Sequence, residues 1–389
     1  RGGPPRPSRL LRLATALGAL AAAALVSAGC GPSEAPPPAG GPAVEWPAWG
    51  GDPGGLRHSP LREVHTGNVH RLRPAWIYHT GDLPDSRGEH PSTLASEVTP
   101  LLVDGTLYLC TPYNRVIALD PETGEERWAF DPEIELDGRY ANQLVCRGVA
   151  FWRDGRAPAD APCARRVFTA TNDARLIALD AESGIPCAGF GAAGTVDLNP
   201  GVGRQLWRGE YQVTSPPAIA GDLVVVGSAV SDNQRVDAPS GVVRAFDART
   251  GALRWAFDLA PPDLERNREN TTEEGYALGT PNVWAPMAVD EARDLVFLPT
   301  GNPAPDYFRG PRNIDHYGSS VVALRASTGE VVWHFQTVHH DLWDYDVPAQ
   351  PTLFTLERDG RALPALAQGT KMGLLFVLHR ETGEPLFPV

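Results

Sequence analysis

The sequence predicts an all-β fold, a β-propeller, and three observations carry that prediction. A turn-plus-Trp pattern recurs along the 389 residues. The stretches between its copies are short apolar runs such as Leu223-Val224-Val225-Val226-Gly227, and none shows convincing helical periodicity. Gly (40) and Pro (38) are abundant, a composition suited to many turns.

The repeat is an apolar strand, then Ala-Leu-Asp or a close variant, two residues, Thr-Gly, three residues and Trp. Its first copy runs from Ala118-Leu119-Asp120 through Thr123-Gly124 to Trp128. The second is Ala178-Leu179-Asp180 with Ser183-Gly184, and Cys187 falls near the Trp slot. The third joins Ala245-Phe246-Asp247 to Gly251 and Trp255, and the fourth joins Ala323-Leu324-Arg325 to Gly329 and Trp333. Val377-Leu378-His379 with Thr382-Gly383 is the fifth. The glycines step by 60, 67, 78 and 54 residues. Each copy reads as two β-rich runs around a tight turn whose Gly takes a positive φ. The Asp and Thr side chains can close that turn on its own backbone. The Trp offers a large flat surface for docking on a neighbouring unit. Four-stranded units repeated in this way make a propeller.

The segment ahead of the repeats has a different character. Arg1, Arg6, Arg9 and Arg12 precede an apolar run from Leu13 to Val26. That run is short for a bilayer span and suits the h-region of a signal peptide, expected over residues 1–29. Ser27-Ala28-Gly29-Cys30 resembles a lipobox without its usual Leu, so lipidation of Cys30 and simple cleavage are both open. Residues 30–45, rich in Pro, Gly and Ala, read as a tether. A periplasmic location follows, with or without a lipid anchor. The four remaining cysteines, Cys110, Cys146, Cys163 and Cys187, form no C-x-x-C pair, which excludes a zinc ribbon and haem attachment. Cys146 and Cys163 flank one loop and are either disulfide-bonded or free thiols.

The net charge of −13 argues against nucleic acid, which needs a basic surface. Of the 34 basic residues a single one, Lys371, is Lys. Gly189-Phe190-Gly191-Ala192-Ala193-Gly194 spells G-x-G-x-x-G, but no helix follows and a dinucleotide site is rejected.

Several segments carry chemistry. Two His and three Asp fall within His339-His340-Asp341-Leu342-Trp343-Asp344-Tyr345-Asp346, which fits a metal site or an ordinary polar turn. Gly227 to Asn233 ends in Asp232-Asn233, oxygen donors of the kind a hard divalent cation prefers, or a solvated loop. Thr300-Gly301-Asn302-Pro303 is a turn when taken alone.

With Trp49-Gly50-Gly51-Asp52 and Ser59-Pro60-Leu61, the repeat resembles the quinoprotein dehydrogenases that use pyrroloquinoline quinone (PQQ). The membrane glucose dehydrogenase branch is the nearest likeness, from about residue 46 to the end. That family has an eight-bladed propeller, so the resemblance implies an N-terminal fragment with about five blades' worth of sequence, incomplete at its C-terminus and unable to close its ring. It also implies PQQ and Ca²⁺ (or Mg²⁺) as cofactors. Asp344 falls on the general base, and Lys371 on the Lys that contacts the quinone oxygens. Asp232, Asn233 and Asn302 fall on metal ligands, and Glu97, Arg147, Thr214 and Trp284 on cofactor contacts. Asp346 lies at an offset where lanthanide-using and ordinary members alike carry Asp. Tyr113 stands where glucose-branch members have His, and Asn302 where some of them lack Asn, so the sugar preference is weakened.

The expected function is oxidation of a sugar or alcohol hydroxyl by hydride transfer to the quinone, with electrons passed to a respiratory quinone or a cytochrome. The alternative is a non-catalytic propeller lipoprotein acting as an outer-membrane assembly scaffold, which shares the Trp-docking repeats.

Overall fold

The computed structural model describes residues 45–88, 92–307 and 312–389. The expected signal segment, Cys30 and nearly all of the tether lie outside the described residues.

Four antiparallel four-stranded sheets follow one another, each a simple up-and-down meander. Blade 1 comprises Leu101–Val103, Thr106–Cys110, Val116–Leu119 and Glu126–Phe130. Blade 2 comprises Ala150–Arg153, Arg165–Ala170, Arg175–Asp180 and Thr195–Asp197. Blade 3 comprises Ala218–Ala220, Leu223–Val226, Val243–Asp247 and Leu253–Phe257. Blade 4 comprises Ala288–Asp290, Leu295–Pro299, Ser320–Arg325 and Val331–Gln336. Blade 5 has three strands, Thr352–Arg358, Arg361–Gly369 and Leu375–His379. Among the described residues the helical content is two single turns, Val69–Arg71 and Glu291–Arg293. The rejected G-x-G-x-x-G leads into the strand Thr195–Asp197, as expected.

The core lies between blades. Successive residues of a strand point to opposite faces, and here both faces are covered. Ile177 packs with Val167 and Leu101 towards blade 1, while Leu176 packs with Phe168 and Val224 towards blade 3. Val296 likewise joins the cluster shared with blade 3, and Phe297 the cluster shared with blade 5. Two buried faces explain why the sequence shows continuous apolar runs rather than alternation.

The repeat acts as the joint between blades. In its turns Asp120, Asp180 and Asp247 each accept backbone N–H bonds two and three residues on, at 2.9–3.2 Å. The turn glycines have φ between +71° and +74° at Gly124, Gly184, Gly251 and Gly383, and +77° at Gly329. Each preceding Trp lies flat on the next Gly. A Cβ on Gly184 would come within 2.5 Å of Trp128, and one on Gly329 within 2.7 Å of Trp255. The indole N–H then donates to the carbonyl three residues before that Gly. The pairs are Trp128 to Ala181 at 3.1 Å, Trp255 to Ala326 at 2.9 Å and Trp333 to Arg380 at 3.0 Å. Trp76 makes the same contact with Gly124 and donates to Pro121 at 3.1 Å, so one more Trp of this kind precedes the first recognised copy.

The joint between blades 2 and 3 lacks the Trp, because Cys187 occupies its place. There the carbonyl of Ala248, three residues before Gly251, accepts from the Arg166 guanidinium at 2.8 Å. Arg166 also donates to Arg249 O at 2.8 Å.

The cysteine pairing differs from the sequence expectation. Cys110 pairs with Cys146, and Cys163 with Cys187. The loop between Cys146 and Cys163 contains the innermost strand of blade 2, and an extended strand holds its two ends apart. Cys146 instead meets Cys110 at the end of a blade 1 strand, and Cys163 meets Cys187 beyond the third strand of blade 2.

Candidate active site

In an up-and-down blade, the connections from second to third strand and from the fourth strand to the next blade open at the same end. The chemistry-bearing residues lie in such connections. Asp232, Asn233, Asn302 and Lys371 sit between second and third strands of blades 3, 4 and 5, while Asp344 and Asp346 link blade 4 to blade 5. Glu97 and Arg147 follow a short parallel ribbon of Leu94–Ser96 with Leu144–Cys146, and Thr214 follows Tyr211–Gln212, which pairs with Ala229–Val230.

These loops enclose a cavity of about 550 Å³. Eight of the nine residues singled out in the sequence line it: Glu97, Arg147, Thr214, Asp232, Asn233, Trp284, Asp344 and Lys371. The ninth, Asn302, is buried directly behind the wall, where its N–H donates to Asp346 Oδ1 at 2.7 Å.

One wall is cationic and aromatic. Arg147 pairs through Nε with Glu97 at 3.0 Å, and its Nη1 donates to Thr214 Oγ1 at 2.7 Å. The guanidinium lies 5.4 Å from the Trp284 ring centroid and the Lys371 ammonium 6.0 Å from it, within the range of cation–π attraction. The indole of Trp284 donates to Asp346 Oδ2 at 2.9 Å, and Ser215 Oγ donates to the Trp284 carbonyl.

Lys371 connects two carboxylates. Its Nζ lies 2.8 Å from Asp344 Oδ1 and 3.2 Å from Asp346 Oδ2, and also donates to Asp344 O at 2.9 Å. Burial alone would lower the Lys371 pKa, but Asp346 and Asp344 outweigh it and the net shift is upward. The Asp344 side chain is 37% exposed and faces the cavity. It is presented by a turn with a positive φ of 56° at Asp344, a conformation Asp tolerates better than most residues. Asp341, fully enclosed, holds that turn: its carboxylate accepts from Trp343 N at 2.9 Å, Tyr345 N at 2.7 Å and Ser319 Oγ at 2.7 Å. Of the two histidines, His340 points away to Asp315 at 2.7 Å and His339 lines a separate rim hollow. The dense His/Asp segment therefore supplies two cavity carboxylates and one internal brace.

The opposite wall gathers acids and amide oxygens. Asn282 Nδ2 donates to Asp232 Oδ2 at 2.8 Å, and Asn302 Nδ2 donates to the Asp306 carbonyl at 3.1 Å. The facing oxygens, Asn282 Oδ1, Asn302 Oδ1 and Asp306 Oδ1, are buried and accept no hydrogen bond. Burial pushes Asp232 well above the ordinary carboxylate range, with the charges of Asp306 and Asp346 adding to it. Burial, then Asp344 and Asp346, raise Asp306 to about 7. Burial raises Asp346 to about 6 even with the Lys371 charge opposing it. Among the described residues no three acidic, His or Cys side chains converge tightly enough to form a ligand set by themselves. A cation here would draw on the asparagine oxygens as well as carboxylates. Oxygens without donors and carboxylates that resist ionising are the two marks of a place suited to a hard cation. Asn233 is the exception among the expected ligands, since its side-chain oxygen accepts from Gln234 and it stands exposed on the rim.

Sequence reasoning assigned no role to Asn282, Asp306 or Asp341, and left Asp346 without one. The nearest signals were an acid closing the Asn302-Pro303-Ala304-Pro305-Asp306 turn and an Asn two residues before Trp284. Tyr113, which stands where the glucose branch has His, is buried in a cluster with Tyr140 and Leu144, and its hydroxyl donates to Leu83 O at 3.0 Å.

Comparisons with known proteins show the family to which the chain is similar. The family model described as "PQQ: Glucose/ethanol/alcohol dehydrogenase, beta-propeller domain" matches residues 46–389. A quinoprotein glucose dehydrogenase of Escherichia coli (strain K12) is 40% identical over 351 residues, 88% of this chain and 43% of that protein. A quinate/shikimate dehydrogenase (quinone) of Acinetobacter baylyi is 40% identical over 364 residues, 89% of this chain and 44% of that protein. The solved structure of the quinohemoprotein alcohol dehydrogenase ADHIIG of Pseudomonas putida superposes with a TM-score of 0.70 at 28% identity, over 88% of this chain and 47% of that one. The chain thus spans less than half the length of these relatives.

Proposed function

This chain belongs to the PQQ glucose/ethanol/alcohol dehydrogenase β-propeller family, and on that premise we propose that its cavity oxidises a sugar or alcohol hydroxyl in a protein exported to the periplasm. The observation that carries the proposal is the pairing, across one cavity, of a cation–aromatic wall with a wall of carboxylates and donor-less oxygens. The bound groups would supply a two-electron quinone acceptor polarised by a divalent cation, Ca²⁺ or Mg²⁺.

Every other part falls to this chain's own residues. Arg147, backed by Glu97 and Thr214, offers its guanidinium to carboxylates of PQQ. Trp284 gives a flat apolar surface parallel to which a planar ring system can lie. Asp232 and Asn302, named from the sequence, would hold the cation, joined by Asp306 and Asn282; Asn233 would at most support them from the rim. Lys371 keeps a compact positive charge at the edge of the quinone, where negative charge develops on reduction. Asp344, accessible and in contact with Lys371, accepts the hydroxyl proton as the substrate carbon loses its hydride. The buried Asp341 brace holds Asp344 in place during that transfer. The substrate loses two electrons and two protons and leaves as a carbonyl or lactone. The electrons pass on to a respiratory quinone or a cytochrome.

A scaffold has no use for several carboxylates gathered opposite a cationic wall, which disfavours the alternative. The direct test is to reconstitute the full-length protein with PQQ and Ca²⁺ and follow dye reduction over a panel of sugars, polyols and alcohols. Substrate-dependent reduction that needs both additions is expected. A protein that binds no PQQ and reduces no dye would overturn the proposal.

A further inference from the structure

The Trp49-Gly50-Gly51-Asp52 motif has no part in the chemistry above, yet it lies beneath the site. Residues 46–55 cross between the inner edges of distant blades. Trp46 bridges to Leu102 of blade 1, the Pro53 carbonyl accepts from Val289 N of blade 4 at 2.9 Å, and the Gly54 carbonyl accepts from Leu353 N of blade 5 at 2.8 Å. Trp49 stands midway along this strap. It borders an apolar space of about 200 Å³ between the innermost strands of blades 2, 3 and 4.

The polar edge of Trp49 reaches the cofactor wall. Its indole N–H donates to the Arg147 carbonyl at 2.8 Å across 98 residues of sequence. The same carbonyl accepts from Thr99 N at 2.9 Å, and Arg147 N donates to Thr214 O at 3.1 Å. The backbone polar groups of Arg147 are therefore fully engaged, by three separate segments. The adjoining Gly148 packs directly on the ring: a Cβ there would lie 2.8 Å from Trp49 Cδ1. The Arg57 guanidinium covers the ring at 3.9 Å, fixing the indole in turn.

We propose that Trp49 is a positioning residue for Arg147, fixing the peptide from which the Arg147 guanidinium reaches the cavity. The inference rests on the reading of that cavity as a PQQ site. Arg is a long side chain, so its head is defined only as well as its root, and the indole hydrogen bond is one of the three that set the root here. A Trp49→Phe variant keeps the ring and removes the donor.

The test is equilibrium dialysis of PQQ against the full-length apoprotein in Ca²⁺. Trp49→Phe is expected to raise the PQQ dissociation constant about five-fold, the effect of losing one hydrogen bond. The substrate KM at saturating PQQ and the melting temperature of the apoprotein should stay close to those of the unaltered protein. If the unaltered protein binds PQQ and Trp49→Phe binds it equally well, the positioning role is overturned and the cavity reading stands. If the unaltered protein binds none, both fall. Should Trp49→Phe not fold, Gly148→Ala decides the matter, since its Cβ would push the same peptide off Trp49. A raised dissociation constant supports the role, and an unchanged one overturns it.

Discussion

The joints between blades and the cavity at their open end are built on opposite rules. At the joints the turn and the docked ring find their partners within the protein: Asp180 closes its turn, the indole of Trp128 bonds to Ala181, and Gly184 accepts the ring. In the cavity, buried oxygens of Asn282, Asn302 and Asp306 accept nothing, and Asp306 is pushed up to about 7 by burial and neighbouring acids. The turns and rings of the joints close on themselves, whereas the cavity brings three donor-less oxygens together. The joints hold the fold up, and under the proposed function a bound cation and cofactor would finish the cavity.

The largest effect expected from breaking this division is on the cavity side. Asp344→Asn in the full-length protein should lower kcat by about 10²–10⁴-fold, the usual loss when a positioned base is removed, while PQQ binding stays within a few-fold. Steady-state dye reduction and dialysis read the two quantities separately. An equal loss of binding would mean that Asp344 belongs to the cofactor-holding side instead.

On the joint side, Trp255→Ala should cost about 3–5 kcal/mol of stability, as large buried aromatic truncations do, and urea melts would read it. The joint without a Trp gives the sharper contrast. Arg166→Met removes the donor that serves the Ala248 and Arg249 carbonyls and should cost about 1–3 kcal/mol for leaving them unsatisfied. If Arg166→Met costs as much as Trp255→Ala, hydrogen bonding matters as much as ring burial at these joints.

A smaller effect separates the two regions by pH. Asp306 and Asp346 have folded pKa values of about 7 and about 6, above the unfolded carboxylate value. At these two carboxylates the metal-free fold therefore holds more protons than the unfolded chain, and their contribution to stability falls as pH rises from about 4 to about 7. A cation binds the ionised form and offsets that loss. The gain in melting temperature from Ca²⁺ over EDTA should thus be larger at pH 8 than at pH 5.5. A gain independent of pH would remove these carboxylates from the cation site.

The repeat made the fold legible, because Gly124, Gly184 and the docked tryptophans encode their contacts in local sequence. Trp76 escaped notice since the Thr66-Gly67 ahead of it lies outside the repeat's spacing, and Arg166 because a guanidinium standing in for an indole leaves no spacing signal. The disulfides were misjudged for the same reason: Cys110 and Cys146 lie at the ends of strands in two different sheets, and no sequence neighbourhood announces their meeting. In the cavity, Asp344, Lys371, Arg147 and Trp284 could be placed through family resemblance. Asp306, Asn282 and Asp341 could not, since an isolated acid or amide in a turn looks like any solvated residue until burial and convergence are known.

The central claim is that the cavity is completed by a divalent cation together with PQQ. Calorimetric titration of the full-length apoprotein with PQQ, in Ca²⁺ and in EDTA, tests it most directly. The account predicts one PQQ bound per chain in Ca²⁺ and binding weakened at least about ten-fold in EDTA, a difference of roughly 1.4 kcal/mol. Equal binding in the two conditions, or none in either, would contradict it.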